Sequence, residues 1–226
     1  MKNLRLYGAG LLVALLLALA ACGTSGGGGG VTWTARTSGT SNDLYGVAYG
    51  NGTFVAVGIW GTILTSSDGV TWTAQTSETD NELYGVTYGN GTFVAVGGTF
   101  YRGTILTSPD GVTWTERTSG TSAFLSGVAY GNGTFVAVGE GGAILTSSDG
   151  VTWTARTSVT SSKLDDVAHG NGLFVAVGWD GTILTSPDGV NWTAQTSGTG
   201  NRLNGVTYGN GTFVAVGEVG IILTSP

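Results

Sequence analysis

From Val31 onward the chain writes one unit five times. Trp33, Trp72, Trp114, Trp153 and Trp192 stand 39, 42, 39 and 39 residues apart, and the longer interval comes from three extra residues within 98–102. A fixed period near 40 marks an array in which each unit buries its apolar surface only against its neighbours. With 42 Gly in 226 residues and only 10% charged side chains, a helical bundle is excluded, because glycine at this density breaks helices.

Each unit contains four short β-prone runs separated by turn residues. In the first copy these are strand a (Leu44 to Tyr49), b (Thr53 to Val57), c (Thr62 to Thr65) and d (Val70 to Thr73). Asn51-Gly52 between a and b supplies two residues that accept positive φ, the pattern of a two-residue hairpin. Asp68-Gly69 is the turn between c and d. In strand b, Phe54, Val55, Ala56 and Val57 are apolar without alternation, as expected when both faces of a sheet are covered. Four antiparallel strands per 39 residues match one blade of a β-propeller; a parallel β-helix has shorter coils and lacks two tight turns per repeat. The fold class expected is therefore all-β, a five-bladed propeller of four-stranded antiparallel blades. The last unit, Val190 to Pro226, lacks only its Asp-Gly turn. That leads us to expect ring closure by pairing of the N-terminal strand around Trp33 with the C-terminal strand around Leu223, which would remove both sheet edges.

Ahead of the array, residues 1–21 combine a basic start (Lys2, Arg5) with an apolar stretch too short to span a bilayer, the pattern of an export signal. The segment Leu19-Ala20-Ala21-Cys22 resembles the lipobox of bacterial lipoproteins. That resemblance implies lipidation of Cys22, the only cysteine, with residues 22–30 as a Gly-rich tether and 31–226 as the propeller. It further implies a bacterial cell-envelope location, lipid-anchored and extracytoplasmic at the outer membrane or cell surface, with the membrane itself as one partner. With Lys2 and Arg5 assigned to the leader, six basic residues face fourteen acidic ones, a formal charge of −8 (6 − 14). Nucleic acid is therefore an unsuitable partner. One Cys and one His give neither a disulfide framework nor a transition-metal cluster. No cofactor and no metal is expected, and the protein is expected to be a monomer.

The c to d segment Ser66-Ser67-Asp68-Gly69-Val70-Thr71-Trp72 recurs at Ser108 to Trp114, Ser147 to Trp153 and Ser186 to Trp192. It is similar to the Asp-box of bacterial neuraminidase-type repeats and of photosystem II assembly factors of the Ycf48 type. It departs from them by lacking one residue between Asp and Gly, and those families have six or seven blades. The resemblance implies that Asp68, Asp110, Asp149 and Asp188 form turns on the outer rim and take no part in catalysis.

Alternating strand direction places the a–b and c–d turns on one side of the array and the b–c and d–a connections on the other. The first side is nearly uniform among copies; the second side varies. Its b–c loops carry Trp60; Tyr101 and Arg102; Glu140; Trp179 and Asp180; and Glu218. Its d–a connections carry Asp43, Glu82, Phe124, Lys163 and Arg202. In strand a of the fourth blade, Asp165 and Asp166 replace a Tyr-Gly pair found in other copies, and His169 replaces Tyr. Aromatic planes interleaved with carboxylates suit a sugar ring or a protein partner anchored on Trp and Tyr. The expected function is a noncatalytic, surface-tethered propeller binding a glycan or a protein through this face. An assembly or scaffold factor for a membrane complex, as the Ycf48-type likeness implies, is the alternative. A glycoside hydrolase would need a carboxyl pair from Glu140, Asp165, Asp166 and Asp180, which no motif selects. A sialidase is disfavoured, since Arg36, Arg117 and Arg156 share a peripheral repeat position and cannot converge on the axis.

Overall fold

The computed structural model describes residues 32–99 and 101–225, so the leader, Cys22 and its tether lie outside the described residues. The chain divides between Ala35 and Arg36 into two units. In the first, Thr32–Ala35 form no strand and Trp33 is 93% exposed.

The second unit holds five antiparallel sheets in chain order. The first contains β1 (Leu44–Gly50), β2 (Thr53–Gly58), β3 (Ile63–Ser66) and β4 (Thr73–Gln75). The second contains β5 (Glu82–Gly89), β6 (Thr92–Thr99), β7 (Arg102–Ser108) and β8 (Thr115–Arg117). The third contains β9 (Leu125–Gly131), β10 (Thr134–Gly139), β11 (Ile144–Ser147) and β12 (Thr154–Ala155). The fourth contains β13 (Leu164–Gly170), β14 (Leu173–Gly178), β15 (Ile183–Ser186) and β16 (Thr193–Gln195). The fifth has three strands, β17 (Leu203–Gly209), β18 (Thr212–Gly217) and β19 (Ile222–Ser225). Every hairpin between the first two strands turns on an Asn-Gly pair with both φ positive, Asn51 at 47° and Gly52 at 77° in the first blade. This mirror-image turn matches the right-handed twist of the strands it joins.

The connection between the third and fourth strands is wider than the Asp-Gly hairpin expected. Ser66 Oγ donates to Asp68 Oδ1 (3.0 Å) and accepts the Gly69 N–H (2.8 Å). Asp68 Oδ1 also accepts the N–H groups of Val70 and Thr71, each at 2.8 Å. The Trp72 indole N–H reaches back to the Gly69 carbonyl. These bonds hold Val70–Trp72 in the turn, so strand d begins at Thr73 and not at Val70. The motif recurs with the same bonds around Asp110, Asp149 and Asp188.

The core lies between sheets. Val55, Val57 and Ile63 of the first blade pack with Leu83, Phe93, Ala95, Leu106 and Trp114 of the second. The alternate residues of β6, Val94 and Val96, pack with Leu125, Phe135, Ala137 and Leu145 of the third. Each central strand thus shows one apolar set to the preceding blade and another to the following blade, which accounts for the loss of period-two alternation. At each of the first three junctions the turn tryptophan of the later blade (Trp114, Trp153, Trp192) closes the seam.

Contacts between innermost strands run β1–β5, β5–β9, β9–β13 and β13–β17. No comparable contact joins β17 to β1 among the described residues, and β19 has no fourth strand beside it. The pairing expected between residues around Trp33 and Leu223 is not among the sheet pairings described. The physical difference between this edge and the others is covalent. In blades one to four a two- or three-residue fourth strand is delivered by the turn directly before it, at small loop-closure cost; a segment near Trp33 has no such turn.

Carboxylates in these turns titrate low. N–H bonds from Thr71, then Val70, and the Ser66 hydroxyl hold Asp68 at about 2, against an ordinary 3.8. Asp110, Asp149 and Asp188 are lowered by the corresponding bonds, led by the N–H groups of Thr113, Thr152 and Asn191. A depressed folded-state pKa contributes stability that is complete above the unfolded value and is lost as pH falls through the folded one. Stability should therefore decline between pH 4 and about pH 2. Denaturant midpoints measured across that range should fall steeply for the native chain and clearly less for a variant carrying Asn at all four positions.

Candidate functional site

In every blade the pairing of the first two strands slips by one residue at the same place. Leu44 pairs with Gly58 and Gly46 with Val57, so Tyr45 has no partner across the ladder. The same slip isolates Tyr84, Ser126, Asp165 and Asn204 in the following blades. A β-bulge frees its extra residue from cross-strand packing and re-aims the side chain. Here all five bulge residues line one cleft of about 360 Å³, together with Lys163, Asp166 and Arg202. Next to it, sharing Tyr84 and Lys163, a second cleft of about 430 Å³ is lined by Trp60, Asp80, Glu82, Phe124, Glu140 and Trp179.

The two clefts are joined by a run of stacked rings and charges. Tyr45 stacks on Tyr84, with centroids 5.3 Å apart and planes inclined by 13°. Tyr84 tilts against Phe124 at 5.7 Å, and the Lys163 ammonium sits 4.7 Å over the Phe124 ring. Asp165 is buried and anchors two cations. Arg202 donates to it through Nε (2.7 Å) and a terminal nitrogen (2.8 Å), and Lys163 Nζ lies 3.0 Å away. Arg202 also stands over the Trp179 ring. The Tyr84 hydroxyl donates to Glu82 Oε2. Burial first, and that bond second, push the Tyr84 pKa well above the ordinary phenol value, so the hydroxyl stays a donor at neutral pH. Ser126 Oγ is buried in this region without a partner among the described residues.

Of the residues expected at this face, Trp60, Glu82, Phe124, Glu140, Lys163, Trp179, Asp165, Asp166 and Arg202 come together in the paired clefts. Asp166 is occupied structurally: Oδ1 accepts the Val167 N–H (2.8 Å) and Oδ2 the Val206 N–H of the next blade (2.9 Å). Asp43 and Glu218 flank the clefts, electrostatically coupled to Tyr45 and Arg202. Asp180 accepts from Ser162 on the outer side. Tyr101 is almost fully exposed, and Arg102 pairs with Glu116 at 2.6 Å; neither lines the clefts. His169 lies at the other end of β13, against Phe174 and over Gly131, where its sister copies place tyrosine. Burial lowers its pKa. Arg117 and Arg156 bond the third-strand residues Thr107 and Thr146.

Sequence reasoning missed Tyr45, Tyr84, Ser126 and Asn204. Their signal was available: among five near-identical first strands this position reads Tyr, Tyr, Ser, Asp, Asn, while the residue before it is always Leu and the one after it is Gly in four copies of five. Among the described residues no three His, Cys, Asp or Glu side chains gather as a metal site.

No protein-family model matches the sequence, and no curated protein does. Solved structures do. A structure described as YCF48 bound to D1 peptide is 20% identical with a TM-score of 0.64, over 83% of this chain and 64% of that one. YCF48 from Cyanidioschyzon merolae is 18% identical with a TM-score of 0.62, over 82% and 67%. Virginiamycin B lyase from Staphylococcus aureus is 12% identical with a TM-score of 0.70, over 84% and 72%. The chain thus spans about two thirds of the length of the YCF48 structures. At these identities the likeness shows the fold, a β-propeller arrangement of blades, and leaves activity to the site.

Asp165 is the electrostatic keystone of the ledge, and its pairs differ in burial from Arg102–Glu116. Removing one partner of a buried pair leaves an uncompensated charge. A double-mutant cycle of Asp165→Asn with Arg202→Ala, read by chemical denaturation, should show the single Asp165→Asn change costing on the order of 3 kcal/mol. The exposed pair Arg102–Glu116 should give a coupling of less than about 1 kcal/mol.

Proposed function

We propose that this chain is a noncatalytic propeller scaffold that binds an extended segment of a partner protein along the ledge of bulge residues. The observation that carries this reading is that one residue from each of five successive blades, Tyr45, Tyr84, Ser126, Asp165 and Asn204, faces one cleft. A row of side chains stepping from blade to blade fits a linear ligand better than a compact one. The aromatic half of the row, with Trp60 exposed beside Glu82 and Glu140, favours a segment rich in Arg or Lys, held by cation–π contacts and carboxylates. The net negative charge of the array points to the same ligand chemistry. The ionic half, in which Lys163 and Arg202 share the single Asp165 carboxylate, is tied by its own ion pairs and serves as a rigid, polar end wall.

The peptide-bound YCF48 structure supports this reading by analogy of fold, and so does the spent chemistry of the acidic residues. Asp165 is committed to two cations and Asp166 to two backbone N–H groups, which leaves neither free as an acid or base. Attachment through an acylated Cys22 at the cell envelope would place the ledge where it meets exported or membrane-bound partners. A sugar is the second reading, favoured by the exposed Trp60 and Trp179 that bracket the 430 Å³ cleft.

The full chain, screened against arrays of basic and acidic peptides and of glycans, should retain basic peptides. Tyr84→Ala and Trp60→Ala should each weaken that binding by about tenfold or more, a loss of about 1.4 kcal/mol or greater. Binding to glycans alone would replace the protein-ligand reading with the sugar reading. Peptide binding unchanged in both variants would remove the ledge as the site.

A further inference from the structure

At four junctions the blades lock by the same device. A glycine at the end of the first strand lies flat beneath a ring of the next blade: Gly50 under Tyr88, Gly89 under Tyr130, Gly131 under His169 and Gly170 under Tyr208. A methyl group on any of these glycines would overlap the ring above it, so only glycine admits the ring. Each ring also rests on a phenylalanine of its own blade, at 4.6–4.7 Å between centroids. Three of the four rings are phenols. The exception, between the third and fourth blades, is the single histidine of the chain.

That substitution changes what the socket encloses. A phenol carries its one polar atom at the far end of the ring, whereas imidazole has two nitrogens within the ring itself. His169 Nε2 is buried with no hydrogen-bond partner among the described residues, a situation it shares only with Ser126 Oγ. As a bare lone pair the nitrogen is tolerated there. As an N–H of imidazolium it becomes a buried, charged donor without an acceptor, which costs far more than the neutral form. The titratable groups on the segments packed around the ring are Tyr130 of β9, Tyr208 of β17, Glu140 beyond β10, Asp165 and Asp166 on its own strand, and Asp188 in the turn of its own blade. None of them offsets the charge, since burial alone accounts for the lowered titration of His169.

We infer that the third junction is a proton-operated joint: mild acid charges His169 and loosens the seam between the third and fourth blades, while the phenol-locked seams hold. The charged ring regains its hydration only by leaving the Gly131 socket, so protonation and opening are coupled. Released imidazole takes up its proton near pH 6.5, and the seated ring takes it up at lower pH. The closed seam is therefore fully stable above about pH 6.5 and loses stability as the pH falls below it. The strand that bears the ring, β13, also carries Asp165 and Asp166 into the 360 Å³ cleft, where β9 supplies Ser126. A loosened seam thus parts that cleft at its middle, whatever the cleft binds.

Because His169 is the sole histidine, its imidazole C–H resonances can be followed in the full chain, and they should titrate below pH 6.5. Amide exchange in β9 and β13 is compared at each pH with the same amides of His169→Tyr, so that intrinsic rates cancel. The ratio of native to variant exchange should rise by about three- to tenfold from pH 7.5 to 5.5. Amides of β1 and β5, at the first junction, should keep a constant ratio. Asp166, whose titration burial raises, is present in both chains and drops out of the comparison. His169→Phe gives the same comparison should the tyrosine variant fail to fold. A ratio that stays constant across β9 and β13, a histidine that titrates at or above pH 6.5, or a rise shared equally by β1 and β5 overturns the inference.

Discussion

Everything in this molecule depends on the burial of both faces of each blade against its neighbours. None of these blades has a core of its own, since every buried apolar cluster draws on two neighbouring blades, and a repeat of that kind cannot bury its apolar faces alone. Phe93, Phe135 and Phe174 are fully buried only because each points into the seam with the preceding blade. Stability is therefore carried by junctions, and the array behaves as a one-dimensional stack of nearest-neighbour contacts. The same rule makes the ends costly. Leu83 is buried and Tyr88 partly buried in the middle of the stack, whereas their counterparts Leu44 and Tyr49 are exposed.

The stack also explains why the differences between copies gather where they do. Hairpin turns, seam residues and the turn carboxylates are each committed to holding the blades, so the five copies agree at those places. The bulge is the exception. Its residue has no cross-strand partner, and the five blades carry Tyr, Tyr, Ser, Asp and Asn there within the same strand pairing. The position has no ladder partner in any of the five blades, and the five variants meet in one cleft with the Lys163–Asp165–Arg202 cluster. The turn carboxylates and Asp166 illustrate the opposite situation: acidic residues in conspicuous positions that are engaged in holding backbone N–H groups.

Legibility of the sequence followed this division. Asn51-Gly52 and its sister pairs announced the hairpins because positive φ at two successive residues leaves few alternatives. The unbroken apolar run of strand b announced a sheet covered on both faces. The fourth strand was placed three residues early, since Val70-Thr71-Trp72 has high strand propensity yet is captured by Asp68 and Ser66. The variable loops pointed to Trp60, Glu140 and Trp179, which line the cleft, and equally to Tyr101 and Arg102, which stand apart from it; variation alone does not report direction. Tyr45, Tyr84, Ser126 and Asn204 were overlooked because a bulge leaves no period in the sequence.

The amino-acid sequence by itself determined the repeat, its four-stranded unit, the turn chemistry and the order of the blades, since these rest on local backbone preference and on a pattern written five times. Tertiary structure alone decided which side chains share a cleft, and whether the first and last blades meet. Those outcomes depend on small rotations between successive sheets, accumulated across four junctions, and no local stretch of residues encodes that sum.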